Sequence, residues 1–389
     1  MPGWIKWSLR VTLVLGLAIA AVAFVKREEI TRLLAVNTLF DADRIVANFS
    51  NMDRLFLHRP VPRGNGRVSA LPHGPEMALP DGTMGWIKTR AVTALVVLHN
   101  GQIVHESYYQ GTTAEDRRIS WSMAKSYLSM LFGLVLADGD IAALDDPVTK
   151  YAPALKGGAY DGASILNVLQ MTSGVEFDED YLDYNSDINR MGRVLALGGT
   201  MDGFAAGLTE TEATPGGNWA YTSIDTHVLG MVIRGATGRD IADLLSERII
   251  KPMGLEAEPY YLTDGEGVAF VLGGLNLTTR DYARMGLMVA QDGRLNGQQI
   301  VPADWIAAST APSAPTKPGK LGYGYQWWIP KGASEGEVMA RGIYGQYVYI
   351  DRARDVVIAV NAADRQFRDD GVDDQNVEMF RRIATSLKN

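Results

Sequence analysis

The feature that most constrains this fold is the segment from Ser122 to Ala137, which is apolar nearly all round. Because residues three or four apart share one face of a helix, a helix without a polar face must be buried on all sides. The following Asp138-Gly139 is typical of a helix end. The sequence therefore predicts a central helix surrounded by the rest of the chain, and 389 residues of 47% hydrophobic composition can supply the core that this requires.

Strand patterns lie near both ends of the chain, and helical patterns lie between them. Ala91–Leu98 and Gln102–Tyr108 flank Asn100-Gly101, a dipeptide typical of a type I′ hairpin turn. Tyr347–Ile350 and Val356–Val360 predict a second pair of strands. The predicted helices are Ile165–Met171, Thr226–Arg234, Ile241–Ile250, Arg280–Gln291 and a last one with Val377, Phe380, Ile383 and Leu387 on one stripe.

This order of elements predicts an α+β fold. An antiparallel sheet flanked by helices is formed by both chain ends, and an all-helical subdomain packs beside it. We assign residues 86–389 to this domain, with 86–121 and 322–389 as its α/β part and 122–321 as its mainly helical part. Residues 31–85 are predicted to form an extended strap, because prolines recur along them. These prolines are Pro60, Pro62, Pro72 and Pro80.

Residues 1–30 form a segment suited to a membrane. Val11–Val25 is an uncharged apolar run with basic residues on both sides. We favour a membrane anchor, because the run with its flanks approaches the ~20 residues that span a bilayer. The alternatives are a signal peptide with Ala21-Val22-Ala23 as its cleavage site and a buried helix of a soluble domain. An anchor would hold the domain in the periplasm at a bacterial inner membrane, and a cleaved signal would export it.

Composition excludes several classes of function. The net charge is −8 and the sequence has no cluster of Lys and Arg, so we expect no nucleic-acid partner. The absence of cysteine excludes disulfides, thiolate catalysis and cysteine-ligated zinc. The five histidines lack the His-Glu-x-x-His spacing, so we expect no metal site. Nothing in the sequence requires a cofactor, and the oligomeric state is left open.

Ser122-Met123-Ala124-Lys125 is the one place where a lysine follows a serine by three positions. On a helix this spacing brings the hydroxyl and the amine to one face. A serine hydroxyl needs a neighbouring base to become a nucleophile, and a lysine desolvated by an apolar helix can have its pKa lowered enough to help. The alternative is an N-cap serine followed by a lysine whose ammonium reaches solvent.

The sequence resembles the serine β-lactamase and penicillin-binding protein superfamily, and more closely its class C-like esterase and 6-aminohexanoate-oligomer hydrolase branch. The resemblance spans roughly residues 91–387. Besides Ser122-Met123-Ala124-Lys125, it rests on Leu136-Ala137-Asp138-Gly139, Leu169-Gln170-Met171-Thr172-Ser173-Gly174, Tyr221-Thr222-Ser223, Lys251-Pro252-Met253-Gly254-Leu255, Thr279-Arg280-Asp281-Tyr282-Ala283-Arg284-Met285-Gly286 and Gly322-Tyr323-Gly324-Tyr325-Gln326-Trp327-Trp328.

The resemblance implies a catalytic set of Ser122, Lys125 and Tyr221. Tyr-x-Ser alone is uninformative, since Tyr127-Leu128-Ser129 fits it too. Position in the superfamily order selects Tyr221. A phenol beside a lysine ammonium can ionise more easily, so we expect Tyr221, tuned by Lys125, to accept the Ser122 proton.

The third superfamily motif, Lys-Thr-Gly or His-Thr-Gly, is missing here. Arg341-Gly342-Ile343 is the best match, with Gly345 and Gln346 as the rival register. A glycine lets the strand approach the substrate, so the amides of Ser122 and Ile343 are expected to form an oxyanion hole. Without that Lys or His, the sequence lacks the residue expected to bind the carboxylate of a β-lactam.

An acidic loop at residues 176–187 is expected at the rim of the cleft in the resembled fold. It is either a solvated surface or a site for an amine or amide end of the substrate. The residues expected to bind substrate are Tyr181, Asp187, Ser223, Trp327, Gly342 and Tyr344.

Together these features predict a serine hydrolase that cleaves amide or ester bonds of small substrates through an acyl-enzyme at Ser122. The alternatives are a D-alanyl-D-alanine carboxypeptidase or class C-like β-lactamase, and a membrane-tethered binding protein without catalysis. The expected partners are the small substrate and the lipid bilayer.

Overall fold

In the computed structural model, which describes residues 2–387, the strands form one large and two small antiparallel sheets. The large sheet has the order β3-β2-β13-β12-β11-β10-β9, where β2 is Val92–His99, β3 is Gln102–Tyr108, β9 is Gly322–Tyr323, β10 is Trp328–Ile329, β11 is Glu337–Gly342, β12 is Gln346–Asp351 and β13 is Val356–Ala362. The small sheets are β1-β5-β6-β4 and β7-β8, where β1 is His58–Pro60, β4 is Arg118–Ile119, β5 is Tyr260–Leu262, β6 is Leu275–Leu277, β7 is Arg294–Leu295 and β8 is Gln298–Gln299.

The helices lie at the N-terminus, on both faces of the large sheet and in the middle of the chain. They are α1 Gly3–Val25, α2 Arg27–Asn37, α3 Ile45–Ser50, α4 Met52–Leu55, α5 Thr83–Thr89, α6 Met123–Ala137, α7 Val148–Tyr151, α8 Ile165–Leu169, α9 Asp187–Ala196, α10 Met201–Ala206, α11 Ser223–Thr237, α12 Ile241–Leu245, α13 Lys251–Met253, α14 Thr279–Ala290, α15 Ala303–Ser309 and α16 Val372–Ser386. A π-helical turn at Ser246–Ile250 joins α12 to α13.

The predicted α+β architecture is confirmed. The hairpin β2–β3 comes from one end of the chain, and β9 to β13 come from the other. Asn100 and Gly101 have φ of 51° and 73°, as a type I′ turn requires. Helices α5 and α16 cover one face of the sheet, where Trp86 packs edge-to-face on Phe380.

Helix α6 is the buried centre that its sequence predicts. Every residue from Met123 to Val135 is buried. It joins the core that includes the inner face of the large sheet, through residues such as Val348 and Ala359, and the helices of the middle region. This packing fixes the N-terminal end of α6 next to the end of strand β11.

The segment 31–85 differs from the extended strap that we predicted. Its first part is helical, in the last residues of α2 and in α3 and α4. The buried residues Ile45, Phe49, Met52 and Phe56 recur every three or four positions, which is the spacing of an amphipathic helix. The prolines that suggested an extended strap all lie beyond these helices, in the part that does run extended.

Helix α1 is long and apolar enough to cross a membrane. Its mean hydropathy is 2.2, and none of its residues is buried against the rest of the described chain. This excludes the buried helix of a soluble domain as an interpretation of the described structure. The fully exposed apolar surface suits a membrane anchor or a signal sequence.

Candidate active site

Ser122 stands at the N-terminus of α6 on a strained turn. The preceding Trp121 has φ of 42°, in the left-handed region that bulky residues seldom adopt. Such strain costs of order 1–3 kcal/mol and persists only where the surroundings enforce it, which is common at functional sites. The Ser122 side chain makes no capping hydrogen bond to the helix. Its hydroxyl is therefore available to a substrate, contrary to the N-cap alternative.

Lys125 faces Ser122 from the next turn of α6. Its Nζ lies 3.0 Å from Ser122 Oγ and donates to the carbonyl oxygen of Leu272 at 2.8 Å. The side chain does not reach solvent, since the residue is only 2% exposed. Burial lowers the pKa of Lys125 to about 7, against the opposing influence of Glu179 and Asp225. A substantial fraction of this amine is therefore neutral near pH 7.

Tyr221 lies beside Lys125, two residues before α11. Lys125 Nζ is 5.4 Å from the centroid of its ring. Burial raises the pKa of Tyr221, the charge of Glu179 raises it further, and a hydrogen-bonding interaction with Ser122 opposes both. The phenol is therefore neutral at ordinary pH. Its ring packs against that of Trp328 at 5.2 Å between ring centroids, and this contact holds the phenol in place.

The half-buried Glu179 and the buried Asp225 complete the surroundings of Lys125. Glu179 accepts hydrogen bonds from the Ser223 amide and, at 2.8 Å, from the Tyr181 hydroxyl. Burial raises the pKa of Glu179, and Lys125 opposes this. Asp225 accepts from the Tyr160 hydroxyl at 2.7 Å, and burial raises its pKa to about 7. Each carboxylate favours the charged form of the lysine.

The end of strand β11 touches the turn that carries Ser122. A Cβ added at Gly342 would come 2.5 Å from the Ser120 carbonyl oxygen and 3.1 Å from the Ser122 nitrogen. Only a glycine allows this approach. Among residues 2–387, neither the Ser122 amide nor the neighbouring Ile343 amide has a hydrogen-bond acceptor. Ser122 and Ile343 both line the cavities at this point, so two amide donors without acceptors belong to the residues that a substrate would meet.

Two cavities meet at Ser122. We call the first the apolar cavity; it has a volume of about 290 Å³ and is lined by Ser122, Ser223, Ile343, Tyr344 and mainly apolar side chains. We call the second the polar cavity; it has a volume of about 1070 Å³ and carries both acidic and basic side chains. Ser122, Tyr181 and Ile343 line both cavities. A carbonyl group at Ser122 therefore has a different environment on each side.

The structure brings most of the predicted substrate-binding residues to these cavities. Tyr181, Ser223 and Tyr344 line the apolar cavity, and Gly342 lines the polar one. Tyr344 has φ of 59° and stacks on Phe40 at 4.6 Å between ring centroids.

Trp327 and Asp187 lie elsewhere. Trp327 is fully buried in the main core. Its neighbour Trp328 lines the polar cavity, because consecutive residues of an extended segment point to opposite sides. Asp187 lines neither cavity; its carboxylate pairs with Arg190 at 2.8 Å and accepts from the Asp178 amide.

From the acidic loop the structure brings Glu179 into the site instead. Its neighbours in the loop are equally acidic, so no sequence signal separates it from them. Within residues 2–387 no group of three or more His, Asp or Glu side chains could hold a metal ion.

Comparison with known proteins decides the family. The model of the family described as Beta-lactamase matches residues 86–378. The 6-aminohexanoate-dimer hydrolase of Paenarthrobacter ureafaciens is 31% identical over 279 residues, which cover 68% of this chain and 71% of that protein. The chain belongs to the Beta-lactamase family.

Solved structures of other proteins share the fold. A structure from Bacillus anthracis, named as a candidate 6-aminohexanoate-dimer hydrolase, superposes with a TM-score of 0.75 at 24% identity and covers 89% of this chain and 95% of its own. The penicillin-binding protein homologue of Pyrococcus abyssi superposes with a TM-score of 0.58 at 18% identity, over 77% of this chain and 76% of its own. The β-lactamase/transpeptidase-like fold and the predicted membership are thereby confirmed. The protein is a serine hydrolase of amide or ester bonds.

Proposed function

We propose that Ser122 is the nucleophile and that the enzyme cleaves small esters and linear amides through a Ser122 acyl-enzyme. The observation that carries this proposal is the 3.0 Å contact between Lys125 Nζ and Ser122 Oγ, made by a lysine whose pKa is lowered to about 7. A general base is most effective when its pKa is close to the pH at which the enzyme works.

In the first step Ser122 Oγ attacks the substrate carbonyl carbon, and its proton passes to the neutral amine of Lys125. The carbonyl oxygen becomes an oxyanion, held by the amides of Ser122 and Ile343. When the tetrahedral intermediate collapses, the bond to the amine or alcohol breaks and that leaving group takes up a proton. Water then attacks the acyl-enzyme carbonyl and Lys125 accepts the water proton. When this second intermediate collapses, the bond from the acyl carbon to Ser122 Oγ breaks, Lys125 returns the proton to Oγ, and the carboxylic acid is released.

In this mechanism Lys125 accepts the Ser122 proton, whereas from the sequence we expected Tyr221 to be this base. Burial lowers the pKa of Lys125 but raises that of Tyr221. At neutral pH the amine can therefore accept a proton, whereas the phenol remains protonated. Tyr221 lies on the polar side of Ser122 and is suited to pass a proton from Lys125 to the leaving group.

Linear amides and esters are favoured over β-lactams because of Arg341. This residue precedes Gly342, near the position of the missing Lys or His. Its guanidinium pairs with Asp373 at 2.6 Å and lies 5.3 Å from the centroid of a Trp328 ring. Its charge is already neutralised, so it is a poor receptor for a β-lactam carboxylate.

We further propose that α1 holds the catalytic domain in the periplasm at a bacterial inner membrane; cleavage at Ala21-Val22-Ala23 would export the domain instead. Support comes from the length and full exposure of α1. Alkaline carbonate extraction of membranes, followed by sequencing of the mature N-terminus, separates these outcomes. An intact N-terminus in the membrane pellet supports the anchor. A soluble chain that begins after Ala23 would contradict the anchor and indicate a cleaved signal peptide.

The activity is tested by offering p-nitrophenyl acetate, the 6-aminohexanoate dimer and a chromogenic cephalosporin to wild type and to Ser122→Ala. We expect turnover of the ester, or of the ester and the dimer, to exceed that of the cephalosporin, and Ser122→Ala to abolish it. Preferential turnover of the cephalosporin would contradict the proposal and indicate that the enzyme is a β-lactamase. Binding without turnover of any of the three would indicate a non-catalytic protein.

A further inference from the structure

The two cavities at Ser122 differ in polarity, and this difference indicates which cavity receives each end of a substrate. A carbonyl carbon at Ser122 Oγ carries an acyl group on one side and a leaving group on the other. Tyr221, our proton donor to the leaving group, lines the polar cavity and not the apolar one. The leaving group therefore faces the polar cavity, and the acyl group faces the apolar cavity.

The walls of the apolar cavity have the composition of an alkyl-chain site. Its aliphatic and aromatic lining comes from several separate elements, so the cavity is built by tertiary packing rather than by one loop. These residues are Val36, Leu39, Phe40, Met52, Phe56, Ile188, Met191, Leu195, Leu262, Phe270 and Leu272. Small-molecule sites usually range from ~300 to ~1,000 Å³, so about 290 Å³ suits one short chain and not a pair of long ones.

One wall of this cavity is supplied by the segment that follows the apolar helix α1. Only Lys26 separates α1 from α2, and α2 ends at Asn37 in the cavity wall. Its 11 residues span about 16 Å. Arg32 Nε donates to the Ala196 carbonyl oxygen at 2.7 Å, which ties α2 to the end of α9. Helix α9, which packs on α2, supplies further lining residues, so the cavity lies one short helix away from the membrane-spanning candidate.

Two large exposed apolar side chains lie at the rim of the apolar cavity. Leu182 and Tyr184 both line it, yet they are 82% and 60% exposed. Large apolar side chains held in solvent at the mouth of a pocket are typical of a surface that meets an apolar ligand or a membrane interface. Arg193 lines the cavity beside them with its guanidinium over the Tyr184 ring, so an amphiphile would meet both apolar side chains and a cation there.

From these observations we propose that the apolar cavity is an acyl-chain subsite for a single unbranched chain of roughly six to ten carbons. The natural substrate is then an amphiphilic ester or amide with its polar leaving group in the polar cavity. This inference rests on the proposed function of Ser122. It predicts that each added acyl methylene raises kcat/KM by up to about fourfold, until the cavity is full.

Gly192 offers a way to fill the cavity. It lies on α9, lines the cavity, and has no atom within 4 Å of an added Cβ. Gly192→Leu should therefore place its side chain in the chain site. The control is Gly85→Leu, on α5 at a position with open space around it and outside both cavities. A good helix former at this position should not weaken α9.

The test measures kcat/KM of full-length wild type and both variants in detergent on p-nitrophenyl esters with acyl chains of two to ten carbons. A parallel series carries acetyl esters of alcohols of the same lengths. In wild type we expect kcat/KM to rise with acyl length. The ratio of kcat/KM for the eight-carbon acyl ester to kcat/KM for p-nitrophenyl acetate should fall at least tenfold in Gly192→Leu and should keep its wild-type value in Gly85→Leu.

Different failures are distinguishable. Hydrolysis of p-nitrophenyl acetate with a flat or falling dependence on acyl length would overturn the subsite and leave the proposed function intact. A loss in Gly192→Leu confined to long alcohol esters would overturn the acyl assignment. No hydrolysis of any ester by wild type would instead contradict the proposed function itself.

Discussion

Lys125 Nζ lies 3.0 Å from Ser122 Oγ, and the lysine side chain is sealed from solvent. The contact follows from their spacing on one helix, and the seal follows from the apolar surface of that helix. Both properties are needed, because an exposed lysine would remain protonated near pH 7 and could not accept a proton from serine. The pair therefore depends on the same burial that makes α6 the centre of the fold.

Lys125→Arg should lower kcat/KM on p-nitrophenyl acetate roughly a thousandfold. Arginine keeps the positive charge and the length of the side chain but cannot lose its proton. Circular dichroism and thermal unfolding should show a folded protein. Lys150→Arg is the control, since Lys150 is exposed, pairs with Asp146 and lies over the Tyr151 ring, away from Ser122. More than a tenth of wild-type activity in Lys125→Arg would exclude Lys125 as the base.

The pH dependence of kcat/KM should report the titration of Lys125. Because the base must be neutral, activity is expected to be low in acid, to rise with pH and to level off, with a midpoint near the lysine pKa of about 7. Glu179 raises the pKa of Lys125 by its charge. Glu179→Gln should therefore move the midpoint to lower pH.

Glu176→Gln is the matched control for that shift, because Glu176 belongs to the same loop but is exposed. It should leave the profile unchanged. A midpoint that moves to higher pH in Glu179→Gln, or that moves equally in both variants, would contradict the proposed coupling between Glu179 and Lys125.

Tyr221→Phe should lower kcat by about a hundredfold with little change in KM. The change removes the hydroxyl that passes a proton to the leaving group but keeps the ring that packs on Trp328. The loss should be larger for an amide than for p-nitrophenyl acetate, since an amine leaves only after protonation. Tyr127→Phe is the control, because its buried hydroxyl has no partner in the described chain. An equal loss of kcat on the amide and on p-nitrophenyl acetate would contradict proton transfer from Tyr221 to the leaving group.

Gly342→Ala should reduce kcat by about a hundredfold or more, as removal of an oxyanion donor does. An added Cβ would lie 2.5 Å from the Ser120 carbonyl oxygen, so the end of β11 must move away and carry the Ile343 amide with it. Steady-state kinetics and thermal unfolding measure the two effects separately. Gly66→Ala, at a position with open space around it, should be neutral. Full activity in Gly342→Ala would contradict the oxyanion site.

The sequence was sufficient to predict the parts that depend on periodicity. The apolar circumference of α6 predicted its burial, and Asn100-Gly101 predicted the hairpin between β2 and β3. The spacing of Ser122 and Lys125 predicted their contact, because a helix converts a sequence separation of three into a short distance.

Features that depend on tertiary packing could not be predicted in the same way. Trp327 and Trp328 are equivalent in composition, and only the strand register decides which one faces the cavity. Glu179 differs from its acidic neighbours only by its place in the folded loop. The apolar cavity draws residues from positions 36 to 344, so no local pattern in the sequence could reveal it.

The most direct test of the central claim is the intact mass of the protein after treatment with a fluorophosphonate. We expect one adduct per wild-type chain, located at Ser122 by peptide mapping, and none in Ser122→Ala. Ser126→Ala, one turn along α6 and bonded to the Gln326 carbonyl oxygen, should be labelled like wild type. An unlabelled wild type, or an adduct that persists in Ser122→Ala, would contradict the assignment of Ser122 as the nucleophile.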